Sequence, residues 1–191
     1  MAGTTTRQRY LDAVVEAMMA EGSTDLTLVV LAEAAGTSDR MLIYYFKTRE
    51  ALLTEAMDTI RARRRKRLHS ELAQVTRADT HDSLRALLSV MSGPEHAKGT
   101  RLYFDATGRW AASSEPFPRF VEGVILDTVE EAAAAARRLG ASTLGAETFG
   151  TLFCSLSTSL ACDRQVTGDD ERIERAVDSA TASLTALIRP L

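Results

Sequence analysis

The chain has 191 residues, 45% hydrophobic and 26% charged, with a formal net charge of -3. That profile belongs to an ordinary globular chain, long enough to bury a core without staples, and it excludes a surface that is basic all over towards a polyanion. No apolar run approaches the roughly 20 residues of a membrane span, and the polar opening carries no signal-peptide pattern, so a cytoplasmic protein without membrane contact is expected. DNA binding stays open, because only one face has to be favourable to phosphate.

Helical periodicity runs through nearly every long segment, and no stretch shows strand alternation. A first helix is predicted over 6–21, where Tyr10, Leu11, Val14, Val15, Met18 and Met19 recur at steps of three and four, ending at Gly22. Thr27 is the expected N-cap of a second helix over 28–35, with Leu28, Leu31, Ala32 and Ala35 inward. Gly36 then breaks the pattern. Ser38 caps a short third helix through Tyr45, and a fourth starts at Lys47-Thr48 and runs to about Leu72. Further helical stretches are predicted over 83–91, 95–112, 118–139, 144–165 and 170–188. The breaks are Gly93-Pro94, the 113–116 stretch, Gly140 and Thr167-Gly168. The expected fold is all-α with about nine helices. A three-helix module, 1–46, joins a helical body, 47–191, with no Gly/Pro/Ser linker between them.

Cys154 and Cys162 stand eight apart in one helical stretch, about 12 Å along its axis, too far for a disulfide, and read as reduced thiols. The histidines His69, His81 and His96 have no partners at metal-ligand spacing. No phosphate loop or nucleophile elbow occurs, so neither an enzyme nor a cofactor is expected.

The first 46 residues meet the demands of a helix-turn-helix in order. Ala32 is small where two helices must approach, Gly36 permits a positive φ at the turn, and Leu31, Leu42 and Phe46 can pack on the first helix. Ser38, Asp39, Arg40, Met41, Ile43 and Tyr44 remain outward on a helix that could enter a major groove.

At this point residues 28–53, LVVLAEAAGTSDRMLIYYFKTREALL, resemble the N-terminal signature of the TetR family of transcriptional regulators. The shared pattern is a Thr-capped helix ending in Ala-Gly, a short recognition helix ending in aromatics and Phe, and a charged start to the fourth helix. Ile43 stands where the family usually has Tyr, Arg49 where it has Lys, Thr37 where a small apolar residue is usual, and Val29 and Val30 where polar residues are common.

The resemblance implies that Thr27, Tyr45, Lys47 and Arg49 hold phosphates and that Ser38, Asp39, Arg40, Met41 and Tyr44 face base edges. Arg40 is the best candidate for a guanine contact, the alternatives being a pair with Asp39 or a phosphate. The run 61–67, RARRRKR, begins roughly 18 Å up the fourth helix, which in the family rises away from the duplex, and it is expected to be a solvated face. Within residues 1–50 seven acids (Asp12, Glu16, Glu21, Asp25, Glu33, Asp39, Glu50) outnumber five bases (Arg7, Arg9, Arg40, Lys47, Arg49), so affinity is expected from a few aimed contacts.

One such module reads few base pairs, which favours a twofold dimer on a palindrome with half-sites about 34 Å apart or multiples of it. The last two helices are the expected interface, through Phe149, Leu152, Leu156, Leu160, Ile173, Val177, Leu184, Leu187 and Ile188. The central helices are expected to hold a partly apolar small-molecule effector. Candidate walls are Met57, Met91, Tyr103, Phe104, Trp110, Phe117, Phe120 and Phe153, with Asp105, Arg101, His96 or His69 supplying polar groups. The expected function is a homodimeric regulator, a repressor released from its double-stranded operator by the effector. The competing reading is a helical ligand-binding or interaction protein that keeps the fold without an operator.

Overall fold

The computed structural model describes residues 5–113 and 118–188. Among them are nine α-helices, a 3-10 turn at Pro94–His96 and no strand. In chain order the helices are α1 (Thr6–Glu21), α2 (Leu28–Ala34), α3 (Asp39–Phe46), α4 (Arg49–Gln74) and α5 (Thr80–Ser92), then α6 (Ala97–Ser113), α7 (Pro118–Leu139), α8 (Thr143–Thr167) and α9 (Asp170–Ile188). Among the described residues no helix is long and apolar enough to cross a membrane.

The described residues divide into two compact units. The first comprises those up to Arg63 together with those between Arg101 and Val121; the second comprises Arg64–Thr100 and those from Glu122 onward.

In the first unit α1 buries Leu11, Val14, Val15 and Met18, the stripe its spacing predicts, and α2 contributes Leu31 and Ala32. Leu42 and Phe46 close the same core from α3, and Leu52, Leu53, Ala56 and Met57 from α4. The turn between α2 and α3 depends on Gly36, whose φ of 62° lies in the left-handed region. Both predicted caps form. Thr27 Oγ1 accepts from the Val30 amide at 3.3 Å, and Ser38 Oγ accepts from the Met41 amide at 3.3 Å.

In the second unit Leu68, Leu72, Leu84, Leu88, Phe149, Phe153, Ile173, Val177 and Leu184 form one buried cluster. Helix α8 approaches α7 closely because Gly150 has no side chain: a Cβ there would stand 2.4 Å from the Val129 carbonyl oxygen. The alanines Ala132, Ala133, Ala135 and Ala136 are buried along that part of α7.

Of the residues expected at a dimer interface, Phe149, Ile173, Val177, Leu184 and Ile188 are buried in the unit's own core. Helices α5, α8 and α9 pack mutually, so the apolar stripes of α8 and α9 are already covered. Of the expected set only Leu152 is exposed, with Leu156, Leu160 and Leu187 half-buried.

The arginine run is likewise not a bare solvated face. In the first unit Arg63 pairs with Asp12 at 2.6 Å and Glu16 at 2.8 Å on α1. In the second unit Arg64 donates to Thr128 at 2.8 Å, and Arg65 spreads over Asp127, Glu130 and Glu131 at 2.9–3.1 Å. Acids on α1 and α7, far away in sequence, pair with Arg63 and Arg65 of the run, while Lys66 and Arg67 stay exposed. His69 joins the cluster through Glu131, which hydrogen bonds from His69 and Arg65 hold below the usual carboxylate range against the opposing pull of burial.

Candidate nucleic-acid interface

The outward surface of α3 is set by what its inner face buries. With Leu42 and Phe46 inside, Ser38, Asp39, Arg40, Met41 and Tyr44 are all exposed, while Ile43 is half-buried. A groove of about 380 Å³ lies between α2 and the start of α3, lined by Val29, Ala32, Glu33, Thr37, Ser38 and Asp39. Asp39 turns back on the backbone, its Oδ1 accepting the Arg40 amide at 2.7 Å. It therefore supports the first turn of α3 and makes no salt bridge to the Arg40 guanidinium. Arg40 enters no ion pair among the described residues and projects from the exposed face.

The residues expected at phosphates fare differently. Thr27 is exposed at the N-terminus of α2, where free amide groups and the helix dipole favour an anion. Tyr45 is half-buried, its ring edge-on to Tyr10 of α1 at 5.6 Å and to Tyr44 at 5.2 Å. Arg49 is spoken for in part: its Nε and Nη2 donate to the Leu26 carbonyl at 3.0 and 2.7 Å. It thereby fixes the segment that leads into α2, with Nη1 left over. Arg7, one of the module's five bases, grips Glu55 of α4 with both terminal nitrogens at 2.7 and 2.5 Å and lies 4.5 Å over the Phe46 ring. It is a brace between α1 and α4.

Lys47 has the least expected backbone. It ends α3 at φ 74° and ψ -55°, the one described non-glycine residue with positive φ, and the Thr48 amide reaches over it to the Phe46 carbonyl at 3.0 Å. That is a γ-turn of the strained, positive-φ kind. Its Nζ turns to the Tyr44 carbonyl at 3.3 Å and sits 5.9 Å from the Tyr44 ring. The fourth helix therefore opens at Arg49, two residues later than the pattern predicts.

A second tie holds the loop between α1 and α2. Asp105 of α6 accepts the Thr24 amide at 2.8 Å and the Thr24 hydroxyl, and Arg109 bridges Asp105 at 3.3 Å and Asp25 at 3.2 Å. Burial alone would push the Asp105 carboxyl up, but the Thr24 bonds and the Arg109 charge together hold it below the usual carboxylate range. Asp105, an expected polar group of a ligand pocket, bonds Thr24 and Arg109. Nothing in local spacing signals this contact, since Thr24 lies 81 positions away.

These features, a short capped pair of helices across a glycine turn within an all-helical chain, recur in solved structures. A transcriptional regulator of Rhodococcus sp. Rha1 superposes with a TM-score of 0.68 at 20% identity, covering 95% of this chain and 97% of that one. The chain has the TetR-family fold. A TetR-family regulator of Mesorhizobium loti matches at 0.66 and 17% identity over 95% of both chains. A TetR-family regulator from Rhodococcus sp. matches at 0.65 and 21%, over 96% of this chain and 98% of that one. No protein-family model and no curated relative matches the sequence.

The expected pocket walls are divided between the two units. Phe117 lies outside the described residues. In the first unit Met57 and Phe120 are buried, Tyr103 is half-buried, and Phe104 and Trp110 are exposed. In the second unit Phe153 is buried and Met91 half-buried. An open depression of about 410 Å³ in the second unit involves none of them; Arg77, Asp79, His81, Asp82 and Leu139 are among its lining residues.

Proposed function

We propose that this protein is a homodimeric DNA-binding transcriptional regulator, a repressor released from a palindromic operator by a small-molecule effector. The observation that carries the reading is the capped α2–turn–α3 unit, whose outer face is exposed and whose inner face is fully packed. In this reading residues 1–46 engage DNA and residues 47–191 provide effector binding and dimerisation. Thr27, Tyr45 and Lys47 approach phosphates, Arg40 reads a base edge, and Arg49 acts mainly by positioning the entry to α2. A second copy would meet the outward sides of α8 and α9 at Leu152 and its half-buried neighbours Leu156, Leu160 and Leu187. Effector binding in the helical body would then alter the spacing of the two heads, so that they no longer fit successive grooves together.

The test is a mobility-shift series on random palindromic duplexes at graded salt. Binding that weakens steeply with salt and enriches one sequence supports the proposal; absent or salt-insensitive binding at low ionic strength refutes it. Arg40→Ala is expected to relax sequence preference, whereas Arg49→Ala weakens binding to all sequences alike. The second reading, a ligand-binding or interaction protein without an operator, is favoured by the acidic balance of the module and by the commitment of Arg7 to Glu55. A dimer that binds small molecules and no duplex would establish it.

A further inference from the structure

We propose that the reading head recognises its operator in large part through thymine methyl groups, by way of Val29, Met41 and Tyr44. The inference rests on the DNA-binding reading above and names the base chemistry that this surface fits.

Four of the twelve exposed large hydrophobic side chains among the described residues fall within α2 and α3. Val29 is 66% exposed, Val30 43%, Met41 37% and Tyr44 67%. Met41 and Tyr44 are three apart and share one face of α3, opposite the buried Leu42 and Phe46. Val29 borders the groove where α3 begins, beside Ser38 and Asp39.

Several polar side chains of the same face also bond the backbone of the helix itself. Ser38 Oγ accepts the Met41 amide, Asp39 Oδ1 accepts the Arg40 amide, and Lys47 Nζ turns to the Tyr44 carbonyl. What α3 presents outward is one uncommitted guanidinium, at Arg40, next to apolar surface. On the major-groove edge of B-DNA the apolar group is the C5-methyl of thymine; the other features are hydrogen-bond donors and acceptors. A duplex is also the occupant that the surroundings suit, because Arg40 and Lys47 flank the patch with exposed positive charge that a phosphate backbone complements.

The experiment enriches a random duplex library on the full-length protein, then replaces each thymine of the selected site, one at a time, by deoxyuridine. That change removes the methyl and leaves base pairing intact. At one or more positions in each half-site, uridine is expected to weaken binding about threefold to tenfold, the scale of one methyl buried. Met41→Ala or Val29→Ala, both at exposed positions, is expected to abolish that sensitivity, so that the double change costs no more than the single. A selected site indifferent to uridine at every position overturns the inference while leaving DNA reading intact. If no duplex is enriched, the DNA-binding reading fails and the inference with it.

Discussion

Asp105→Ala tests how firmly the α1–α2 loop is tied to α6. The carboxylate accepts the amide and the hydroxyl of Thr24, a residue 3% exposed, and its own side chain is only 25% exposed. Alanine removes both acceptors and strands a buried amide, and it unties Arg109 from α6. Orphaning one buried donor costs about 1–3 kcal/mol, and charge-assisted bonds contribute about 1.5–3 kcal/mol each. With partial rescue by water, about 2–4 kcal/mol of destabilisation is expected. For a domain of this size that lowers Tm by about 5–15 °C. Asp105→Asn, which keeps one acceptor and loses the charge, is expected to cost about half as much. The sign with pH follows from the depressed carboxyl. Its contribution is fully present above the unfolded value near pH 4 and is lost as pH falls through the lower folded value. The gap between wild type and Asp105→Asn is therefore constant above about pH 5 and closes in acid. Thermal unfolding by circular dichroism measures the shift, and hydrogen exchange at Thr24 measures the local effect. A Tm for the alanine variant within about 1 °C of wild type, with the Thr24 amide still protected, would refute the reasoning.

Lys47→Gly relieves a positive-φ turn that costs a non-glycine residue about 1–3 kcal/mol, less about 0.5–1 kcal/mol for the freer unfolded chain. Tm is expected to rise by a few degrees while the salt slope of DNA binding falls by about 2, one for each head of a dimer; a lower Tm would show that the turn is unstrained. Gly150→Ala forces a methyl onto the Val129 carbonyl, and a loss of about 1–3 kcal/mol in denaturant unfolding is expected. A neutral result there would mean that α7 and α8 separate at little cost. Arg65→Met removes the shared partner of Asp127 and Glu131, whose side chains are 5% and 13% exposed. The expected cost is about 1–3 kcal/mol, above the 0–1 kcal/mol or so typical of surface pairs, and urea titration separates the two.

Periodicity and capping residues made the helices legible, and Thr27, Gly36 and Ser38 act as their chemistry requires. The outward set on α3 followed from knowing that Leu42 and Phe46 turn in. Periodicity says which side chains share a face but not what covers that face. That is why the stripes of Phe149, Ile173, Val177 and Leu184 read as a dimer surface when other helices of the same unit already bury them. The arginine run and Asp105 were illegible for a related reason. Their partners lie 47 to 81 positions away, and a charge looks solvated until the fold delivers its counter-ion. The turn at Lys47 was illegible because a positive φ at lysine runs against local preference, which tertiary packing overrides.

The braces formed by Arg7 on Glu55 and Arg49 on the Leu26 carbonyl bear on how such a protein would find its site. With those two cations holding the module together and Arg40 assigned to a base edge, Arg9 and Lys47 remain for phosphate, about four in a dimer. Four released counterions correspond to a log–log salt slope of roughly -4. A DNA-reading head so sparing of free charge would hold random sequence loosely. Its search would run mainly through solution, with brief slides along the duplex, and little of it would be sequestered on the rest of the genome. Occupancy at the operator would then depend on the fit of a few side chains, and a small displacement of α3 would be enough to release it.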